Sequence, residues 1–294
     1  MSIQPEPLAV PNLVHQLKRG PTEHKGNAGK VVLIGGAPGM AGALLLAGKA
    51  CIHLGAGWTI LEMLDPASAR ADTEQPELMI RLATSNIQET LNATTPDVMA
   101  IGPGLGQSTL AHQYLNAALA HPNIPLILDA DALNLISDSN ALLSLLQARN
   151  LQYPGLTTLT PHPGEAAKLL KRSAEKVQSD RMKAIENLIE LTHSIVALKG
   201  QHTLIASPQH RPLQCLAGNP GMGTGGMGDV LTGSIAAVAA QGVRHQLDLW
   251  QATCIAVQLH AAAADNLVKK GIGPIGLTPS ETILEMRSLL NQLT

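Results

Sequence analysis

Short apolar runs alternate with longer helical patterns along this chain, and Gly- or Pro-rich turns separate them. The runs at residues 31–34, 58–63, 98–101, 125–128, 157–159 and 195–198 are rich in Leu and β-branched residues, and stretches rich in Ala, Leu and Gln fill 41–54, 110–120 and 141–148. Such alternation builds parallel βαβ units, whose sheet must be covered by helices on both faces. Two further extended runs, 202–206 and 212–215, flank Pro208-Gln209-His210 and read as a hairpin, so the far edge of the sheet is expected to be mixed. Helical patterns at 226–240, 247–270 and 279–293 follow. No linker, low-complexity tract or repeat divides the 294 residues, so one domain over 1–294 is expected, with 1–24 as an N-terminal extension or helix.

Composition narrows the partners. Hydrophobic residues make up 45% and Phe is absent, so the core must be packed from Leu, Ile, Val, Ala and Met. A formal net charge of -2 gives no field that would draw nucleic acid or an acidic membrane. Any anion must therefore be held by local devices. Cys51, Cys215 and Cys254 have neither metal spacing nor a disulfide framework; they read as small buried hydrophobes in a reducing cytoplasm. The N-terminus has no basic stretch leading into an apolar run, and the most apolar segment, 234–240, is far short of the roughly 20 residues a span requires. The expectation is a cytoplasmic protein with no membrane or nucleic-acid partner.

Several of the runs end in turns with chemical content: Gly102-Pro103-Gly104-Leu105-Gly106, Asp129-Ala130-Asp131-Ala132-Leu133-Asn134, Pro161-His162-Pro163-Gly164-Glu165 and Lys199-Gly200. Open parallel sheets bind ligands beyond the carboxyl ends of their strands, so these turns predict one composite site on one rim. The most glycine-dense segment is Asn219-Pro220-Gly221-Met222-Gly223-Thr224-Gly225-Gly226-Met227-Gly228-Asp229, followed directly by an apolar helical pattern. A helix starting there aims unpaired N–H groups and its positive dipole end at an anion. The plain alternative is a flexible loop with Asp229 as an N-cap. The glycines also match GxGxxG twice, but they lie late in the chain, and Asp248 opens a helical pattern where that fingerprint needs a strand end. That dinucleotide reading is rejected. A GxxxxGK[ST] loop is missing too, since Gly48-Lys49 is followed by Ala50.

The segment 219–233 resembles the active-site signature of ribokinase-like enzymes. Taken with His24-Lys25-Gly26-Asn27, Gly35-Gly36, the GPGLG and DADALN turns, Thr160-Pro161-His162-Pro163-Gly164-Glu165 and Lys199-Gly200-Gln201-His202-Thr203 in this order, it resembles the ADP/ATP-dependent NAD(P)H-hydrate dehydratases over roughly 25–290. One departure stands out: Met227 occupies a position where the family turn more typically has Ser. The resemblance implies a three-layer α/β sandwich with a mostly parallel central sheet. It also implies a hydro-lyase that repairs the S form of hydrated NADH or NADPH (NADHX, NADPHX), using ADP, or ATP as the alternative, with Mg²⁺. Asp229 would be the general base on the ring hydroxyl, and the N–H groups of Gly226, Met227 and Gly228 the anion hole. Ala43, Gly104, Gly106, His162 and Asp229 would hold the hydrated dinucleotide. Lys199, Gly200, Gln201, His202, Thr203, Asn219 and Gly228 would hold ADP or AMP. A homotetramer is implied, and a separate NAD(P)H-hydrate epimerase as a partner in the same pathway.

Each residue has a plainer reading. His162 could be a cap; Asp131 and Asn134 could cap the following helix or touch ligand or metal; Glu165 could be a helix-start acid or organise Mg²⁺. Lys25 is expected to contact phosphate, and His260 to be structural or exposed. A vitamin-precursor kinase of the same fold, acting on a hydroxymethylpyrimidine or hydroxyethylthiazole, would share Asp229 and the glycine turn. A silent nucleotide-sensing module is a third reading.

Overall fold

The computed structural model describes residues 4–294, so the first three residues of the expected N-terminal extension lie outside it. Its strands are β1 (Glu6–Pro7), β2 (Lys30–Gly35), β3 (Trp58–Met63), β4 (Met79–Leu82), β5 (Val98–Ile101), β6 (Leu126–Leu128), β7 (Thr157–Leu159), β8 (Ile195–Leu198), β9 (Leu204–Ser207) and β10 (His210–Gln214). Its α-helices are α1 (Pro11–Val14), α2 (Ala41–His53), α3 (Ile87–Thr94), α4 (Thr109–Ala120), α5 (Ala130–Asp138), α6 (Asn140–Gln152), α7 (Pro163–Leu169), α8 (Ala174–Ser179), α9 (Arg181–Thr192), α10 (Met227–His245), α11 (Leu249–Lys269) and α12 (Pro279–Leu293).

All the strands join one sheet in the order β1-β10-β9-β8-β7-β6-β5-β2-β3-β4. From β4 through β8 the pairing is parallel. β9 runs antiparallel to both β8 and β10, which makes this edge mixed, as the hairpin predicts. Successive side chains of a strand point to opposite faces, and β2 shows the result. Val31 and Leu33 enter a core shared with α2, α10, α11 and α12, while Val32 and Ile34 enter a second core shared with α3 to α9. Helices therefore cover both faces, giving the expected three layers. The N-terminal segment is part of this body, with β1 paired to β10 and Val10, Val14 and Leu17 buried in the first core.

α10 is the buried axis of the first layer, with every residue from Val230 to Gly242 inaccessible. Its apolar, Ala-rich surface on all sides suits a core helix. Fully burying Ile235 alone contributes about 2 kcal/mol. α10 crosses α2 at Gly233, where a Cβ would lie 2.0 Å from the Ala47 carbonyl oxygen. The three cysteines are free and buried. No helix among the described residues is long and apolar enough to cross a membrane.

Candidate active site

Because β8, β7, β6, β5 and β2 are neighbours, their carboxyl ends form one continuous rim. It gathers Lys199, Glu165, Asp129, the GPGLG turn and Gly35-Gly36, and the start of α10 lies over it. The key cation is Lys199. Its Nζ donates to Asp129 Oδ1 at 2.7 Å and lies 3.9 Å from Glu165 Oε2. Burial works to strip its proton, but the charges of Asp129 and Glu165 outweigh this and raise its pKa. Asp129 is 1% exposed, and its second oxygen accepts from Thr232 Oγ1 at 2.8 Å. A side chain at Gly228 would begin 3.2 Å from Lys199 Nζ and 3.7 Å from Asp129 Oδ2, so this glycine sits directly against the ion pair.

Asp229 occupies the third position of α10, while Gly226 is the N-cap in the left-handed region, at φ 96°. The N-cap reading of Asp229 is therefore corrected. The carboxyl is free for chemistry, and its pKa is raised from 3.8 to about 7, by burial first and then by the Asp129 charge, with Lys199 opposing. A carboxylate with this pKa is half ionised at neutral pH, which suits a general base. The first intrahelical donor is Val230, whose N–H reaches the Gly226 carbonyl at 3.0 Å, so the amides of Gly228 and Asp229 precede the helical ladder. The Met227 N–H makes a long 3.4 Å contact to the Thr224 carbonyl. The Met227 side chain points away, into a small cluster with Ala264, Leu267 and Leu277. The Met227 side chain therefore has a packing role and leaves the turn's backbone amides unobstructed.

On the other side of Asp129, the GPGLG turn packs on the start of α2. The Gly36 and Ala37 amides donate to the carbonyls of Pro103 and Gly104, at 3.0 and 2.7 Å. Gly104 has φ 57°, and a Cβ there would lie 2.5 Å from the Met40 carbonyl oxygen and 3.2 Å from the Ala43 Cβ. Ala43 and Gly104 thus meet at this corner, and Gly106 lies beside them against Ala37 and Met40. The cap reading of Asp131 and Asn134 is also corrected: α5 starts at Ala130, and Asp129 holds the N-cap position without making a cap hydrogen bond. Asp131 Oδ2 instead accepts from the Gly106 N–H at 2.8 Å, and Asn134 joins Asp131 to Lys168.

His162 caps α7, its Nδ1 accepting from the amides of Gly164 and Glu165. Glu165 answers by accepting from the His162 N–H at 2.7 Å. Burial and the nearby Lys199 lower the His162 pKa, leaving it neutral with Nε2 3.2 Å from Glu165 Oε1. Burial raises the Glu165 pKa while Lys199 pulls against it. The same four-residue cap recurs in His24-Lys25-Gly26-Asn27. That copy lies at the amino end of the sheet, where Lys25 Nζ sits 5.0 Å from the Trp58 ring centroid. Lys25 thus stands beside a strand start, as its sequence setting predicts, at the opposite end of the sheet from the rim.

Gly200 to Thr203 form the turn between β8 and β9. Asn219 caps the 3-10 turn Pro220–Gly223 and donates to Asp265 Oδ1 at 3.0 Å, while Asp265 Oδ2 accepts from the Gly218 N–H at 2.9 Å. Sequence reasoning placed Asp129 in a rim turn without giving it a role, and it missed Thr232 and Asp265. It also set aside His260, which is buried with Nε2 unpartnered and a pKa pushed down to about 4 by burial and then by Lys199. Among the described residues, no three His, Cys, Asp or Glu side chains are grouped to hold a metal unaided.

Comparison with known proteins agrees with this geometry. A bifunctional NAD(P)H-hydrate repair enzyme of Coxiella burnetii is 39% identical over 276 residues, covering 93% of this chain and 53% of that protein. The chain spans about half the length of the first such curated relatives. An ADP-dependent (S)-NAD(P)H-hydrate dehydratase of Neisseria meningitidis is 36% identical over 282 residues, covering 94% of this chain and 90% of the relative. The crystal structure of the ADP/ATP-dependent NAD(P)H-hydrate dehydratase of Bacillus subtilis, co-crystallised with ATP and Mg²⁺, superposes with a TM-score of 0.80 at 25% identity, covering 100% of both chains. A family profile described as NAD(P)H-hydrate dehydratase matches residues 31–285, from β2 to within α12. With the whole rim inside that match, the chain belongs to the NAD(P)H-hydrate dehydratase family and has its ribokinase-like fold.

Proposed function

We propose that the chain restores the S form of hydrated NADH and NADPH by ADP-dependent dehydration, releasing AMP and phosphate. The observation that carries this is Asp229, a carboxyl of pKa about 7 in the first turn of a buried helix, beside a cation that holds two further carboxylates. As the ring hydroxyl attacks the terminal phosphorus of ADP, Asp229 takes its proton and AMP leaves. Phosphate then departs with the C–O bonding pair, a proton leaves the adjacent ring carbon, and the double bond returns. The amides of Gly226, Met227 and Gly228 stabilise charge on the moving phosphoryl group. Ala43, Gly104, Gly106 and His162 hold the dinucleotide; Lys199 to Thr203, Asn219 and Gly228 hold the nucleotide.

ADP is the donor, with ATP as the alternative; the Neisseria relative is named for ADP and the Bacillus enzyme for both. Mg²⁺ bound to a nucleotide needs only one or two carboxylate oxygens from protein. Glu165 is first a helix-start acid, tied to His162 in the α7 cap, and as a hard oxygen donor on the rim it is the residue that would supply such a contact. When bound, the ion neutralises phosphate charge. The enzyme works in the cytoplasm as a homotetramer, and an NAD(P)H-hydrate epimerase activity is its pathway partner. The test adds chemically hydrated NADH and ADP and follows absorbance at about 340 nm, the reduced nicotinamide band. A rise supports repair. No rise, together with phosphorylation of a hydroxymethylpyrimidine, would favour a vitamin kinase.

A further inference from the structure

We infer that Arg181 is a positioning residue for the nucleotide, its guanidinium holding the 199–203 turn in the form that presents backbone N–H groups to an anion. This rests on the assignment of that turn to nucleotide under the proposed function. Arg181 is the first residue of α9. Its Nη2 donates to the carbonyls of Leu198, at 2.8 Å, and Lys199, at 3.3 Å, and its Nη1 donates to the carbonyl of Gln201. The last carbonyl of β8 and two carbonyls of the turn therefore converge on one planar cation. In a trans peptide, a carbonyl and the N–H that follows it point in opposite directions. The amides of Lys199, Gly200 and His202 must then face away from Arg181. The Lys199 amide shows where that leads, since it donates to the Pro161 carbonyl on the rim at 2.8 Å. Gly200 and His202 remain to meet a ligand on that side.

The turn would not keep this shape unaided. His202 has φ 54° and Gly200 φ 134°, and a left-handed residue other than Gly costs roughly 1 kcal/mol or more. Successive amides around such a residue form an anion-binding concavity. Arg181 also brings charge. Among the described residues no carboxylate lies within ion-pair distance of it, and burial lowers its pKa. A half-buried guanidinium matched only to neutral carbonyls leaves net positive potential at the turn, as a phosphorylated ligand requires.

The test compares Arg181→Met, which keeps the apolar stem, and Arg181→Lys, which keeps the charge, with the wild type. Calorimetry gives the Kd for ADP without dinucleotide, and kinetics give both KM values and kcat. Arg181→Met should weaken ADP by about tenfold or more, the scale of one lost charged hydrogen bond. The KM for the hydrated dinucleotide and the kcat at saturating ADP should stay within about threefold of wild type. Arg181→Lys should remain weak for ADP, because one ammonium cannot span three carbonyls. Unchanged ADP affinity in Arg181→Met overturns the inference. So does an equal loss for both substrates with a lowered Tm, which would mark general damage to the fold. A wild type that binds ADP without dehydrating the hydrate refutes the repair reading alone, and the calorimetric comparison still decides the role of Arg181. A wild type that binds no ADP overturns both.

Discussion

Replacing Asp229 by Asn should slow the reaction and stabilise the fold, and both effects come from the same buried carboxyl. The unfolded chain ionises Asp229 near 3.8 and the folded chain near 7. Between those values the folded state keeps a proton that the unfolded state gives up, so stability falls as pH climbs through the window. Below about pH 4 both states are protonated and the effect is absent. A gap of about three units corresponds to about 4 kcal/mol at most, and partial exposure of the site roughly halves this. For a chain of this length, about 2 kcal/mol corresponds to a Tm difference of about 3 °C. Asp229→Asn should therefore melt about 3 °C above wild type at pH 8, and the gap should close towards pH 4. Turnover in the same variant should drop by about 10²–10⁴. Wild-type kcat/KM, followed by restored nicotinamide absorbance from pH 5 to 9, should fall about tenfold per unit below about pH 7. Full activity in Asp229→Asn would refute the reasoning, as would a variant that melts lower at pH 8 or a wild-type profile flat down to pH 5.

Lys199→Met leaves Asp129, 1% exposed, without its cation and should cost about 3 kcal/mol, seen as a Tm lower by about 5 °C. Adding Asp129→Asn should recover part of that loss, and calorimetric melting of the single and double variants checks it. Gly104→Ala puts a Cβ into a left-handed position against the Met40 carbonyl and should cost about 2 kcal/mol. Steady-state kinetics should show its KM for the hydrated dinucleotide rising more than its KM for ADP. Chelation with EDTA should stop turnover and added Mg²⁺ should restore it, with circular dichroism unchanged throughout.

The central strands were readable because parallel strands covered on both faces become near-continuous apolar runs, as Val31 to Ile34 show. β1 and β4 were not readable. Both lie at sheet edges with mostly exposed residues: Glu6–Pro7 is only two residues long and polar at its start, and Met79–Leu82 is a short apolar run broken by Arg81. The site was legible as a set of turns but not as a network. Asp129, Glu165, Lys199 and Asp229 are tens of residues apart in sequence, and only the strand order joins them. Asp129 illustrates the difficulty. It stands where a helix cap belongs, yet its oxygens go to Lys199 and Thr232, and no local rule reports that. The two His-capped turns show the same difficulty from the other side. One cap geometry serves His24 at the amino pole and His162 at the rim, and only the second has chemistry beside it.

The crossing of α2 and α10 also bears on stereochemistry. Gly233 rests on Ala47, one turn beyond Ala43, and the start of α10 presses on Leu46. Asp229 and the corner formed by Ala43 and Gly104 are thereby parts of one packed unit. In the proposed reaction, a carboxylate fixed in this way meets a hydroxyl on one side of the nicotinamide ring only. The mirror-configured hydrate would then sit in the same cleft with its hydroxyl turned from the base, unreactive until another catalyst inverts that carbon.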